Sequence, residues 1–152
     1  MEWHFKKFNE LTTEKLYEMI SLRIRVFIIE QNCSYDECDG KDLNAIHLFA
    51  TDKDKITAYA RILPPGVSCI EASIGRILVD KEHRGKGLAR QIVNKAIEYI
   101  KTDLRETSIR IQAQQYLEKF YAELGFKTVS STFILENIPH VDMLLTNSAN
   151  KQ

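Results

Sequence analysis

The stretch from Ile77 to Ile100 constrains the fold more than any other part of the chain. It runs "ILV", then "DKEHRGKGLA", then a two-sided helix. Leu88, Ile92, Ala96 and Ile100 make one row along that helix, and Ala89, Val93 and Ile97 make the next. Arg90, Lys95, Glu98 and Lys101 take the opposite side. A β-branched apolar strand therefore hands over to an amphipathic helix through Gly85 and Gly87. A helix N-terminus leaves several N–H groups unpaired, and its macrodipole adds about half a positive charge there. Glycines let the backbone curl around an anion with no Cβ in the way. Arg84 and Lys86 add charge on the same turn, and Arg90 on the next. The junction reads as a phosphate-binding turn, with a plain connecting turn as the alternative. No Gly-Lys-Ser/Thr follows a four-residue gap, so it is not a Walker loop. It is not a dinucleotide fingerprint either, because the third glycine would fall at Arg90.

The rest of the chain supplies more strands and helices in α/β order, without repeats. "EWHFKKF" reads as a first strand. Thr12 is a candidate N-cap for a first helix with Glu14 in its first turn, and Leu16, Ile20, Ile24 and Phe27 recur at helical spacing as one buried stripe. "NCSYDECDGKD" reads as an irregular loop. "AIHLFAT" and "KITAYARIL" read as a hairpin through "DKDK", with Ile56, Ala58, Ala60 and Ile62 alternating at period two. "PPG" is a turn, and "ASIGRILV" a strand buried along nearly its whole length. "SIRIQA" is another strand and "QYLEKFYAEL" a short helix closed by Gly125. "KTVSSTFIL" and "HVDMLLT" complete the sheet. Residues 1–146 are expected to form one domain and 147–152 a flexible tail.

Composition narrows the function classes. Lys plus Arg is 21 and Asp plus Glu is 21, so the net charge is zero. A nucleic-acid binder or a polybasic membrane anchor would carry a basic excess, so neither partner is expected. Three cysteines at irregular spacing do not make a disulfide framework, and "MEWHFKKF" does not read as a secretion signal. The expected location is the cytoplasm. Cys33 and Cys38 stand in a loose Cys-x4-Cys spacing, and no metal is expected.

Two stretches together resemble the GNAT superfamily of N-acetyltransferases. Arg84, Gly87 and Ala89 match its Arg-x-x-Gly-x-Gly/Ala signature directly after a strand ending in "ILV". "QQYLEKFYAELGF" resembles its closing motif, a strand and then a short helix carrying Phe-Tyr and Gly-Phe. Gln114 stands where the family often has Asn, and Leu117 where a small residue is common. Within the superfamily the chain is similar to the ElaA-type proteins, through "LRIRVFIIEQNCSYDECDGKD", "AYARIL", "IGRILV" and "NIPHVDM". Ser34 replaces a commonly seen Pro.

The resemblance implies a mixed α/β fold with a mostly antiparallel central sheet. That sheet would splay open between strands 72–79 and 108–113, with helices on both faces and acetyl-coenzyme A as cosubstrate in the gap. Its pantetheine arm would lie along Ile77, Leu78 and Val79. Its pyrophosphate would meet Arg84, Gly85, Lys86, Gly87, Leu88 and Ala89, with Gln114 also against the cofactor. The activity implied is transfer of an acetyl group to a primary amine by direct attack in a ternary complex. Tyr121 would protonate the departing thiolate, and its packing in the core beside Phe120 is the structural alternative.

The acceptor is left open between small-molecule and peptide amines. Glu30 and Asp39, in the acidic stretch 30–42, are candidates to attract a cationic amine. The resemblance also places Glu71 near where some members hold a general base, with a solvated loop carboxylate as the alternative, and implies that His140 faces the acceptor pocket. A carboxylate, His140 or a water chain could take the ammonium proton. A homodimer is left open. A coenzyme A-binding sensor or scaffold without turnover is the rival reading.

Overall fold

The computed structural model describes residues 1–146; the expected tail at 147–152 lies outside the described residues. Eight strands form one sheet in the order β1 (Glu2–Lys7), β2 (Ile46–Asp52), β3 (Lys55–Leu63), β4 (Ala72–Val79), β5 (Ser108–Gln114), β8 (Ile138–Thr146) and β6 (Lys127–Thr128). β7 (Phe133–Leu135) also pairs with β8. All pairings are antiparallel except that of β4 with β5. The stretch read as one strand, "KTVSSTFIL", is split into β6 and β7 with a bend between them.

α2 (Leu88–Thr102) covers one face of the sheet. Its buried side chains Leu88, Ile92, Val93, Ala96, Ile97 and Ile100 pack with Ala58, Ala60, Ile62, Ile74 and Ile111. α1 (Thr13–Arg23) covers the other face, where Met19 and Leu22 pack with Phe49, Ile56, Tyr59 and Leu78. Thr12 caps α1 by accepting from the Lys15 N–H at 3.0 Å. The buried stripe of this helix differs from the expected one. Met19, Leu22, Arg23 and Val26 are buried, whereas Leu16, Ile20 and Phe27 are only partly buried and Ile24 is exposed. The buried residues keep ordinary helical spacing, but their stripe is rotated from the expected one already within α1, and the helix then widens into a π-helix over Ile24–Glu30.

β3 also departs from one-sided alternation, because it is buried on both faces. Opposite Ala50 and Thr51 the register shifts, with Thr57 as the extra residue on β3, so Ile56 joins the α1 side while Ala58, Ala60 and Ile62 stay with α2. The hairpin turn behind it places Lys53 and Asp54 at φ 52° and 66°, the left-handed pair that suits the sheet's twist. β4 is buried only at its two ends. Gly75, Arg76 and Ile77 are half-open, because the sheet parts beside them.

Candidate active site

The parting is sharp. β4 and β5 pair only at Ala72 with Ile109 and at Ser73 with Arg110. Beyond Ser73 the edge of β4 that faces β5 carries backbone polar groups with no strand partner, a cost that a bonded ligand would offset. Arg76 adds to the opening. Its φ is +52°, and the β3–β4 register shifts there, between Tyr59 opposite Leu78 and Arg61 opposite Gly75. The wedge belongs to a cleft of about 1230 Å³ lined from both arms, by Ile77, Leu78 and Val79 on one and by Ile111, Gln112 and Gln114 on the other.

The mouth of this wedge is the glycine junction. Gly85 and Gly87 both adopt left-handed backbone, at φ 80° and 78°, and a Cβ on either would project into open space. Gly87 is the N-cap of α2, and the Gln91 N–H bonds its carbonyl at 3.2 Å. The N–H groups before Gln91 are therefore free of intrahelical bonds. Arg84 is fixed beside them, its Nε donating to the Val79 carbonyl at 2.9 Å and its second terminal nitrogen to Glu30 at 2.8 Å. Lys86 is exposed, and Leu88 and Ala89 line the cleft at the helix start. Arg90 is turned elsewhere: it pairs with Glu123 at 2.8 Å and lies over the Phe120 ring.

Tyr121 lies on α3 (Glu118–Glu123). That helix ends as its sequence requires, with the Phe126 N–H bonding the Tyr121 carbonyl and the Gly125 N–H that of Ala122, around a left-handed Gly125. Phe120 and Phe126 each meet the Tyr121 ring edge-on, so the ring is part of the core, and the residue also lines the cleft. The side chain makes no hydrogen bond among the described residues. Burial first, and the neighbouring Tyr116 second, push its pKa up to about 12, which keeps the proton in place at neutral pH.

Of the five carboxylates in the acidic stretch after α1, four are bound by arginines, and Asp36 is exposed on the cleft. Arg23, fully buried, donates to Glu37 at 2.8 Å and to Asp42 at 2.8 Å. Arg61 binds Asp39 through two contacts of 2.9 Å and reaches Asp42 at 3.1 Å, while Arg76 reaches Glu37 at 2.7 Å. Burial works to raise the Asp39 carboxyl, but Arg61, the Lys41 N–H and Arg76 outweigh it and hold it at about 2. Asp39 and Glu30 are thus engaged by arginines. Glu71 is also paired: its carboxylate takes two hydrogen bonds from Arg110, at 2.9 and 3.2 Å, which lower its pKa. His140 lines the cleft and is 7% exposed; its Nδ1 lies 2.7 Å from the Ile138 carbonyl. The partners of Arg23, Arg61 and Arg76 are what sequence reasoning missed. Their signal was three arginines placed in or beside otherwise apolar elements. Among the described residues no group of three or more His, Cys, Asp or Glu could hold a metal, and no helix is long and apolar enough to cross a membrane.

Residues 11–147 match the family model for the acetyltransferase (GNAT) domain. A UPF0039 protein of Synechocystis is 37% identical over 145 residues, covering 95% of this chain and 94% of that one. ElaA of Escherichia coli is 33% identical over 94% of this chain and 95% of its own, and its crystal structure superposes with a TM-score of 0.88. The crystal structure of an acyl-CoA N-acyltransferase from Pseudomonas aeruginosa superposes with a TM-score of 0.90 at 31% identity, covering 96% of this chain and all of that one. The splayed sheet, the glycine turn and the matched sequence meet in one statement: this chain belongs to the GNAT acetyltransferase family, alongside its ElaA relatives.

Proposed function

We propose that the protein transfers an acetyl group from acetyl-coenzyme A to a primary amine, with both substrates bound together. The observation that carries this reading is one continuous cleft. It joins the unpaired edge of β4, the Gly85–Gly87 turn and Tyr121.

The residues fit the cofactor. The amide-rich arm of coenzyme A suits the open edge at Ile77, Leu78 and Val79, where it can act as a substitute strand. Its pyrophosphate suits the free N–H groups before Gln91 and the side chains of Arg84 and Lys86. Coenzyme A supplies the activated thioester. The chain contributes alignment, a backbone N–H near Val79 to polarise the carbonyl, and a proton donor. Tyr121 suits the donor role because it is protonated, buried and free of competing hydrogen bonds. The three cysteines are free thiols, which suits work in the reducing cytoplasm.

Thiol release from acetyl-coenzyme A with a panel of primary amines tests the reading. Amine-dependent release supports it. Tight binding with no release for any amine would leave a coenzyme A sensor in its place.

A further inference from the structure

We propose that His140 is the base that takes the proton from the acceptor's ammonium group, a role that rests on the acyltransfer reading above. His140 and Gln114 are directly opposite on β8 and β5, so they share one face of the sheet. Their neighbours Val141 and Ala113 point into the core with α2. His140 therefore faces the other side, where the segment after α1 crosses. Gln114 donates to Gln31 at 3.3 Å, and the Cys33 thiol donates to the Glu136 carbonyl at 3.2 Å.

Position along the wedge agrees. β4 and β5 part at Ser73 and Arg110, and Gln114 with its partner His140 lies four residues further along β5, roughly 13 Å at strand rise. Val79 ends the other arm, six residues beyond Ser73. His140 is thus at the open end, while Tyr121 belongs to the core on the α2 side. Proton acceptor and proton donor approach the reacting centre from opposite faces, so neither neutralises the other.

The imidazole is set for the task. Nδ1 lies 2.7 Å from the Ile138 carbonyl, which can only accept, so Nδ1 carries the hydrogen and Nε2 carries the lone pair. Nε2 has no partner among the described residues and is not sealed from the cleft. Phe133 stacks on the ring at 6.1 Å and fixes its plane. Asp142, next on the same face, meets Arg110 at 3.4 Å, and Arg110 is bound by Glu71. The segment after α1 brings Gln31, Cys33, Tyr35 and Asp36 to the cleft, and the turn before β8 brings Glu136. Three of the carboxylates lining the cleft are held by arginines, Glu71 by Arg110, Asp39 by Arg61 and Glu30 by Arg84, whereas Asp36 and Glu136 have no side-chain partner among the described residues and lack the fixed orientation of the His140 ring.

The proton count closes. The acceptor nitrogen sheds two protons as its bond to the acyl carbon forms and the carbon–sulfur bond breaks. One goes to Nε2 of His140 and on to water. The second leaves with amide formation and, through solvent, restores the hydroxyl of Tyr121 that has protonated the sulfur.

The test compares two amines of one skeleton: a lysine-like acceptor with a pKa of about 10, and its fluorinated analogue, already neutral at the assay pH. His140→Gln should lower kcat/KM at neutral pH for the first by ten- to a thousandfold, with little effect on the second. Tyr121→Phe should slow both. Equal loss on both amines in folded His140→Gln overturns the base role alone. Wild-type enzyme inert toward the whole panel overturns the acyltransfer reading, and the base with it. Nitrogen NMR of the free protein gives a readout apart from turnover. The Nδ1–H tautomer at neutral pH supports the role, and the Nε2–H tautomer overturns it.

Discussion

Arg84 and Glu30 meet at 2.8 Å across the mouth of the cleft, joining the glycine turn to the last residue of the π-helix. The same guanidinium holds the Val79 carbonyl at the end of β4. One arginine thus ties together three segments that border both halves of the cleft.

That pairing leads to the first prediction. A pyrophosphate at the turn competes with Glu30 for Arg84. Removing the competing charge in Glu30→Gln should tighten coenzyme A binding by about two- to fivefold, the factor expected for a half-exposed ion pair. Calorimetric titration with coenzyme A measures it. Weaker binding in this variant would mean that Glu30 orients Arg84 and does not compete for it.

Gly87→Val should abolish the thermal stabilisation given by acetyl-coenzyme A. A side chain at φ 78° costs about 1–2 kcal/mol, yet a Cβ there meets no protein atom within 4 Å. The fold should survive at somewhat lower stability, with the new side chain standing where phosphate must approach. A wild-type melting shift in Gly87→Val would remove the phosphate turn from the site.

Tyr121→Phe should leave the melting temperature nearly unchanged, because the hydroxyl makes no hydrogen bond among the described residues and the ring keeps its edge-on contacts. Turnover should fall by roughly ten- to a thousandfold with coenzyme A affinity intact. Single-turnover rates separate the chemical step from product release. Wild-type rates in that step would assign the proton to solvent.

Arg23→Met should destabilise the fold by about 3–5 kcal/mol, since it strands the buried carboxylates Glu37 and Asp42 without their main partner. Urea unfolding reads this directly.

The same network sets the acid limb of stability. Arginine partners hold Asp39 at about 2 and lower Asp42, both below the ordinary 3.8. Folded-state values below unfolded ones stabilise the protein above the unfolded pKa. That contribution is lost as pH falls through the folded pKa. Melting temperature should therefore hold down to about pH 4 and drop steeply toward pH 2. A flat profile across that window would contradict the pairing.

The sequence alone determined what adjacent residues can encode. The two rows along α2, the Thr12 cap, the turn at Lys53–Asp54 and the paired glycines all follow from helical or strand periodicity and from local backbone preference. The "ILV" strand, the Arg-x-x-Gly-x-Ala turn and the Phe-Tyr helix pointed to the family for the same reason, since each is a short contiguous pattern. Only the tertiary structure decided which charges face a substrate. In sequence the stretch 30–42 is strongly acidic; in the fold Arg23, Arg61, Arg76 and Arg84, from four separate segments, bind four of its five carboxylates. His140 carries the converse lesson: nothing in "NIPHVDM" shows which ring nitrogen is free. That is decided where the Ile138 carbonyl meets Nδ1 and Phe133 stacks on the ring. Periodicity is a property of neighbours along the chain, whereas a buried charge or lone pair answers to groups that folding brings from tens of residues away.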